Sequence, residues 1–311
     1  MRISSEEYSL KQRKKKRRYL RRHPHIPYIW PTMFWMILIS IIPIIFVVIM
    51  SLTNYELGIP SERLRFVGLQ NYIRLFNGQD KVFLYSIFIT LAMTCIATAI
   101  QMILGFTCAF LLNEDFKFKG IAIACFIIPI AMTPSIASQV WKLMYNADFG
   151  VINYFLNLIL KLKVVWLGPK YAFLSVLITN VWMSTPFVIL TIYAGLRSLP
   201  VEPYESALMD GASSYQLFRW ITVPLLKPLI LLTLLFRLID MFKMFDVPYV
   251  LTQGGPGDAT EFLGLHIYKI GFAVTGLVGR ASAVSVLLII IVAILSKILI
   301  GTLRGSNIEG T

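Results

Sequence analysis

The stretch ESALMDGASSYQLFRWITVP, Glu205–Pro224, separates two long apolar runs of a 311-residue chain. It carries the charged residues Glu205, Asp210 and Arg219, and Gly211 stands between two halves that each look helical. Glycine adopts a left-handed turn without steric cost, so we expect two short helices that reverse direction at Gly211. A polar insertion of this kind predicts a functional element at the surface of an apolar bundle.

The boundaries of the two short helices can be predicted from local chemistry. Pro203 suits the first turn of the first helix, and Ser213 or Ser214 can cap the second. The apolar side of the second helix consists of Leu217, Phe218 and Ile221. Pro224 and Pro228 are predicted to end that helix and to return the chain to the membrane. The residues alone allow a plug for a groove on another protein or a helix pair on the membrane surface.

The composition around the insertion is that of a membrane protein. The chain is 57% hydrophobic and 14% charged, with a mean hydropathy of +0.72, and a transmembrane helix needs about 20 apolar residues. We therefore predict an all-α membrane protein with six transmembrane helices. The predicted spans are Tyr28–Leu52, Leu84–Leu112, Gly120–Met144, Tyr171–Ala194, Leu229–Val250 and Ser282–Leu303.

The same pattern divides the chain into a tail, a membrane domain and a second tail. We assign residues 1–27 to a basic N-terminal tail, 28–303 to the membrane domain and 304–311 to a C-terminal tail. The insertion occupies about 199–224, and no connecting loop is long enough for an independently stable domain.

Lysine and arginine placement predicts the orientation. The N-terminal tail holds ten of the 29 Lys and Arg residues, and such residues accumulate on the cytoplasmic side of a membrane. Both termini and the insertion are then cytoplasmic, in a multi-pass protein of the cell membrane. A basic run directly before a span favours contact with anionic lipids over nucleic-acid binding.

Between the spans, two segments have the spacing of short surface helices. These are VGLQNYIRLF (67–76) and GVINYFLNLILKLKVVWLGPK (150–170), both on the side opposite the insertion. Within the spans, Pro129, Pro134 and Pro186 are positions where the helical hydrogen bonding is expected to be interrupted.

The fifth span carries four charges, Arg237, Asp240, Lys243 and Asp246, three residues apart and alternating in sign. Neighbours at this spacing touch on a helix and neutralise each other in part. A charge at mid-bilayer costs about 2.5–3.5 kcal/mol even on the lenient scale. These residues either line a substrate pathway together with Tyr249 or serve only as structural ion pairs, and the sequence leaves both alternatives open.

Motifs for catalysis are absent from the sequence. There is no G-x-x-x-x-G-K-[ST] loop for a nucleotide phosphate, and no H-E-x-x-H or G-x-S-x-G. His23, His25 and His266 lie outside the predicted spans with no recognisable catalytic partners. We expect neither enzymatic activity nor a bound cofactor or metal in this chain.

The insertion resembles the EAA loop of permease subunits of ATP-binding-cassette importers. Glu205-Ser206-Ala207, three residues, Gly211, nine residues and Ile221-Thr222-Val223-Pro224 are similar to the family pattern E-A-A-x3-G-x9-I-x-L-P. Ser206 and Val223 are conservative departures. The flanking VWMSTPFVILTIYAGLRSLP and FDVPYVLTQGGP resemble the carbohydrate-uptake branch, in particular the maltose-system F permease subunits.

The resemblance implies a type I importer arrangement in a bacterial or archaeal cell membrane. Its partners would be a second homologous permease, two copies of a cytoplasmic ATPase that binds ATP and Mg²⁺, and an extracytoplasmic sugar-binding protein. It also implies that the insertion docks into the ATPase. The residues implied for this coupling are Glu205, Ala207, Asp210, Gly211, Leu217, Phe218, Ile221 and Pro224.

The substrate is the least determined feature. The carboxylates in the fifth span balance its cations, so we favour a neutral di- or oligosaccharide. The alternatives are a permease for a non-sugar solute, such as glycerol phosphate or a peptide, and an ion-coupled secondary transporter.

Overall fold

The computed structural model describes residues 26–58, 60 and 63–308, without the side chains of 26–27 and 303–308. Predictions for the basic N-terminal tail therefore fall outside the described residues. The regular elements of the described part are helical, apart from one bridge between Thr53 and Phe66. The helices are α1 (Ile26–Ser51), α2 (Gln70–Phe76), α3 (Lys81–Asn113), α4 (Lys119–Ala131), α5 (Pro134–Met144), α6 (Val151–Leu160), α7 (Ala172–Arg197), α8 (Glu202–Met209), α9 (Ser214–Leu217), α10 (Val223–Phe242), α11 (Asp246–Leu251), α12 (Leu263–Tyr268) and α13 (Val278–Ile308), with π-helical segments at Phe218–Thr222 and Lys269–Ala273.

Helices long and apolar enough to cross a membrane account for five of the predicted spans within the described residues. They are Tyr28–Ser51, Lys81–Asn113, Ala172–Arg197, Ser214–Leu251 and Val278–Thr302. The last helix continues to Ile308, so the predicted tail boundary at residue 303 falls inside it. The sixth span is the pair α4 and α5.

The third predicted span is broken rather than straight. α4 ends at Ala131 and α5 begins at Pro134, and the two helices meet at 101°. Proline lacks an N–H group and is tolerated in the first helical turn, which explains why α5 restarts there. Pro129 and Pro186, by contrast, lie inside continuous helices.

The packing of α3 against α7 requires the broken pair to cross the membrane. Gln101 of α3 contacts Asn180 of α7, and farther along both helices Ala109 packs with Val188 and Ile192. The residue numbers of the contacting pairs increase along both helices in the same direction, so the two helices run parallel. The chain must therefore return across the membrane between them, through α4 and α5.

Small residues allow the central helices to approach closely, as is common in membrane bundles. A Cβ on Gly105 of α3 would lie 2.4 Å from Val188, and one on Gly195 of α7 would lie 2.3 Å from Leu229. α1 instead packs mainly beside α13 and leaves most of its side chains exposed. The central bundle thus consists of α3, α7 and α10, and the insertion extends from one of its ends.

Candidate functional site

The turn of the insertion has the geometry that the sequence predicts. Gly211 has a φ of +79°, in the left-handed region. Its N–H donates to Leu208 O at 3.0 Å, and the N–H of Ala212 donates to Ala207 O at 2.9 Å. This pair of bonds is a Schellman motif, which ends α8 and satisfies its last carbonyl groups. Pro203 lies in the first turn of α8.

The second helix of the insertion is capped as expected but ends differently. Ser213 and Gln216 form a capping box, with Ser213 N–H donating to Gln216 Oε1 at 2.7 Å. The prediction that Pro224 and Pro228 end this helix is wrong. The chain stays helical from α9 through the π-helical segment into α10, because Pro224 lies in the first turn of α10 and Pro228 lies inside it.

Polar and aromatic contacts fix the insertion to the bundle. The hydroxyls of Tyr204 in α8 and Thr222 in the π-helical segment are 2.9 Å apart. Phe218 packs edge-to-face on Phe110 at the end of α3, with 5.3 Å between ring centroids. Phe218 was predicted to belong to a docking ridge; it contacts the bundle through Phe110 and remains 39% exposed.

The exposed apolar surface of the insertion differs from the predicted ridge. Leu217 and Ile221 are only partly exposed, as is Ala207, whereas Glu205, Asp210 and Pro224 are exposed. Four large side chains outside the set of residues implied for coupling are more accessible. They are Leu208, Met209, Tyr215 and Trp220, with Met209 88% exposed. The sequence offers one indication of these residues. Leu208 and Met209 are apolar residues next to the turn, and Tyr215 and Trp220 lie on the polar side of the second helix.

The two short helices enclose a concave surface of about 320 Å³. Its lining includes the small residues Ala207, Gly211 and Ala212 and the larger apolar residues Leu217, Trp220 and Ile221. No atom lies within 4 Å of a Cβ placed on Gly211, so the turn leaves free space at the surface. This shape is suited to contact with another protein.

Inside the bundle, three helices contribute to a polar centre that we define as Gln101, Asn180, Arg237, Asp240 and Lys243. Arg237 is 6% exposed, and its Nε donates to Gln101 Oε1 at 3.1 Å. Gln101 in turn donates to Asn180 Oδ1 at 2.9 Å. Buried polar groups need such partners. The sequence analysis selected Arg237 but missed Gln101 and Asn180, which are isolated side-chain amides within long apolar segments.

The charges of the fifth span are only partly arranged as predicted. Asp240 lies between two cations, with Oδ2 3.5 Å from Arg237 and Oδ1 3.5 Å from Lys243. The prediction of four charges on one helix is wrong, because α10 ends at Phe242 and Asp246 begins α11. Asp246 instead accepts a hydrogen bond of 2.8 Å from Ser135 at the start of α5.

The side chains of Asp240 and Lys243 are about half exposed in the isolated chain, at 52% and 60%. A charged pair within a membrane-spanning segment is stable only next to water or protein. The polar centre therefore has a buried end at Arg237 and an open end at Lys243. Both predicted roles, structural pairing and pathway lining, are compatible with this geometry.

An aromatic cluster, defined as Phe245, Tyr249, Tyr268 and Phe272, follows the open end of the polar centre in the chain. Phe245 stacks on Tyr249 with 5.0 Å between centroids, and Tyr268 packs against both rings. Tyr249 and Phe272 are exposed. Of these residues only Tyr249 was predicted. Aromatic faces beside a few polar groups are typical of ligand sites.

The sequence analysis expected no catalytic partners for His266, and it did not predict the charged side chains that surround this residue. We define the His266 cluster as Asp80, Glu261, His266 and Lys269. His266 is 3% exposed, with Nδ1 2.7 Å from Glu261 and Nε2 3.3 Å from Asp80, and Lys269 also pairs with Glu261. The cluster ties the beginning of α3 to α12 and the π-helical segment that follows.

Electrostatics within the His266 cluster keep its groups charged. Burial alone lowers the pKa of His266, but the hydrogen bonds that His266 donates to Asp80 and Glu261, together with the negative charges of these carboxylates, outweigh burial, so the pKa is raised above 6.5. Burial raises the pKa of both carboxyls, yet their bonds to His266 leave the pKa of Asp80 and of Glu261 below the ordinary value. Nothing in this arrangement resembles a catalytic site, and it is a structural link.

Comparison with known proteins identifies the family. The profile of the family "Binding-protein-dependent transport system inner membrane component" matches residues 101–304, which include the EAA-type insertion typical of such permeases. The chain is 40% identical to the trehalose/maltose transport system permease protein MalF of Thermococcus litoralis, over 73% of this chain and 76% of the relative. It is 34% identical to the sulfoquinovosyl glycerol transport system permease protein SmoG of Agrobacterium fabrum, over 71% and 69%.

Solved structures agree with the fold. A chain of a bacterial alginate ABC transporter, solved with an alginate pentasaccharide-bound periplasmic protein, matches with a TM-score of 0.77 at 19% identity, over 91% of this chain and 94% of that one. A chain of the MetNI methionine ABC transporter matches with a TM-score of 0.52 at 20% identity, over 72% and 95%. The relatives are transport proteins rather than enzymes. The chain belongs to the inner-membrane permease components of binding-protein-dependent ABC importers.

Proposed function

We propose that this chain is one of two permease subunits of an ATP-driven sugar importer and forms half of its translocation pathway. The observation that carries the proposal is the insertion, which presents Leu208, Met209, Tyr215 and Trp220 on a capped, hydrogen-bonded support. Apolar side chains exposed on a rigid polar loop mark a surface that another protein covers. The relatives named for trehalose/maltose and sulfoquinovosyl glycerol transport support the sugar class.

The partner at the insertion is a cytoplasmic ATPase, two copies of which bind ATP and Mg²⁺. The insertion and both termini then lie in the cytoplasm, as the placement of lysine and arginine predicts. The concave surface between α8 and the π-helical segment receives the ATPase. Asp210, which lines this surface, and the exposed Glu205 supply negative charge. Closure of the ATPase shifts the bundle between two states by its differential contact with them.

Substitution of Met209 tests the docking role. Met209 is almost fully exposed, so Met209→Glu should leave the thermal stability of the chain unchanged. It should lower ATP-driven uptake in proteoliposomes that contain the assembled transporter. The matched control Met209→Leu keeps an apolar side chain and should transport normally. Equal uptake by both variants would contradict docking at this surface.

The substrate pathway follows the open end of the polar centre and the aromatic cluster. Sugars present apolar ring faces and hydroxyl groups, which match Tyr249 and Tyr268 together with the Asp240–Lys243 pair. Arg237, Asp240, Lys243 and Asp246 carry no net charge together, so we propose a neutral di- or oligosaccharide. The second permease subunit covers the exposed side of this pair and completes the pathway.

Two experiments separate this proposal from its alternatives. Calorimetry with the partner solute-binding protein should detect a neutral oligosaccharide, whereas tight binding of glycerol phosphate or a peptide would assign a different solute. Uptake by the permease pair without the ATPase, driven by an ion gradient, would instead establish a secondary transporter.

The role of the charge pair is tested by Asp240→Ala. We expect altered substrate selectivity with only a small loss of thermal stability, because Asp240 is half exposed, its two ion pairs are long, and the buried Arg237 keeps its hydrogen bond to Gln101. Loss of stability with unchanged selectivity would assign Asp240 to structural pairing.

A further inference from the structure

Helix α6 presents its most apolar face away from the protein. The outward side chains are Val151, Tyr154, Phe155, Leu158 and Ile159, which are between 52% and 74% exposed. The protein-facing side carries Asn153, the only buried residue of α6, and Ile152, which packs on the core. A surface helix of a water-soluble protein has the opposite arrangement, so an apolar medium covers the outer face of α6.

A set of hydrogen bonds holds α6 in this orientation. The side chain of Asn153 donates to Val164 O at 2.8 Å and to Ala147 O at 3.2 Å. Its Oδ1 accepts from Trp166 Nε1 at 3.1 Å and from Val164 N at 3.3 Å. The two N–H groups and the two lone pairs of this buried side-chain amide therefore all have partners. Rotation of α6 that buries its apolar face in the protein would break these bonds.

The position and the charges of α6 indicate what covers it. α6 follows the broken span α4–α5 and precedes α7, so it lies at the membrane surface opposite the insertion. Lys161, Lys163 and Lys170 follow its C-terminal end, with Lys163 paired to Asp148 at 2.8 Å and Lys170 5.2 Å from the Tyr171 ring. Apolar residues beside lysines that can reach phosphate groups are typical of interfacial helices.

We propose that α6 is an interfacial helix whose outer face inserts between the glycerophospholipids of the adjacent leaflet. Phe155, Leu158 and Val151 contact the acyl chains, and the three lysines contact the headgroup phosphates. The helix thereby anchors α5, against which it packs, to the membrane surface. The Asn153 hydrogen bonds transmit that position to the loop that enters α7.

Spin labels test the proposal in the full chain, reconstituted into phosphatidylcholine–phosphatidylglycerol nanodiscs after Cys95, Cys108 and Cys125 are replaced by serine. Labels are placed at Phe155→Cys and Ile159→Cys, which share one face of α6. The control Asn157→Cys lies midway between them in sequence and on the opposite side of the helix. All three positions are exposed, so the substitutions should not disturb folding.

The readout is collision of each label with oxygen, which concentrates in lipid, and with a water-soluble nickel chelate. We expect oxygen collisions to exceed nickel collisions at 155 and 159 and the reverse at 157. More nickel than oxygen collisions at 155 and 159 would place the face in water and overturn the proposal. If neither reagent collides with the labels at 155 and 159, the face is covered by protein. This result, whether obtained with the chain alone or only with the assembled transporter, would also overturn the proposal.

Discussion

Replacement of His266 by glutamine removes a cation that pairs with both Asp80 and Glu261. Among the described residues, no other side chain forms an ion pair with both of these carboxylates. Both ring nitrogens of His266 face carboxylate oxygens, at 3.3 Å and 2.7 Å. An ionised carboxylate only accepts hydrogen bonds, so both nitrogens must donate and the ring is an imidazolium. Glutamine has one donor group, and its carbonyl oxygen would face a carboxylate.

The magnitude of the loss follows from the burial of the partners. The side chains of Asp80 and Glu261 are 12% and 6% exposed, and removal of one partner from a buried ion pair costs about 3–5 kcal/mol. Glu261 keeps Lys269, and Asp80 keeps the N–H of Phe83. We therefore expect His266→Gln to lower the free energy of unfolding by about 3 kcal/mol, the low end of that range.

A second substitution distinguishes lost charge pairing from a simple packing defect. Asp80 caps α3 through its bond from Phe83 N–H, and asparagine caps a helix equally well. Asp80→Asn in the His266→Gln background removes one unpaired carboxylate and keeps the cap. The double variant should be more stable than His266→Gln alone, whereas a packing defect predicts no recovery.

The pH dependence has a defined sign. The pKa of His266 is raised by folding, so its contribution is complete below pH 6.5 and is lost as the pH rises through the folded-state pKa. The pKa values of Asp80 and Glu261 are lowered, so their contribution is complete above pH 4.5 and is lost as the pH falls through their folded-state values. The wild-type midpoint of thermal unfolding, followed by circular dichroism in detergent, should decline on the alkaline side. If it stays level there, or if His266→Gln has the same midpoint and profile, the reasoning is refuted.

Three further predictions concern the insertion and the bundle. Gly211→Val should lower ATP-driven uptake, since a β-branched residue at φ +79° is strained, whereas Gly211→Asn should retain it; equal uptake would contradict a need for this turn. Gln101→Met should lower the free energy of unfolding by about 1–3 kcal/mol, because Arg237 Nε loses its hydrogen-bond acceptor. The double variant with Arg237→Met should recover stability in thermal unfolding. Leu232→Gly on the exposed side of α10 should lower the uptake per ATP hydrolysed relative to Leu232→Ala, by weakening the helix about 1 kcal/mol; identical ratios would contradict transmission through α10.

Features set by local chemistry could be predicted from the sequence. Hydropathy located the spans because the bilayer requires a minimum apolar length. The turn at Gly211 and the cap at Ser213 followed from residue types that have few alternatives at such positions. The break before Pro134 was expected for the same reason, but its angle of 101° depends on packing against α7 and α11.

Features set by contacts between distant residues could not be predicted. His266 meets Asp80 across 186 residues, and Gln101 meets Asn180 across 79. The end of α10 at Phe242 could not be predicted either. The apolar pattern of the sequence continues through Met244, and the side chains of Phe242 and Met244 are both buried. Tertiary packing thus decided where the helix stops, and with it the separation of Asp246 from the other charges.

The continuity of the helix after the insertion gives the bundle a direct mechanical path. Ser214–Leu251 forms one apolar run that begins at the capped end of the insertion and passes Arg237 and Asp240. Its only irregularity near the insertion is the π-helical segment, which Thr222 fastens to Tyr204. A π-helical turn is less regular than an α-helix and often marks a functional position.

Both short helices are fixed to this π-helical segment. A displacement of the insertion must therefore either bend the segment or move α10 as a rigid body. Movement of α10 shifts Arg237 relative to Gln101 and Asn180. The polar centre is therefore the place where the two states of the bundle should differ most in hydrogen bonding.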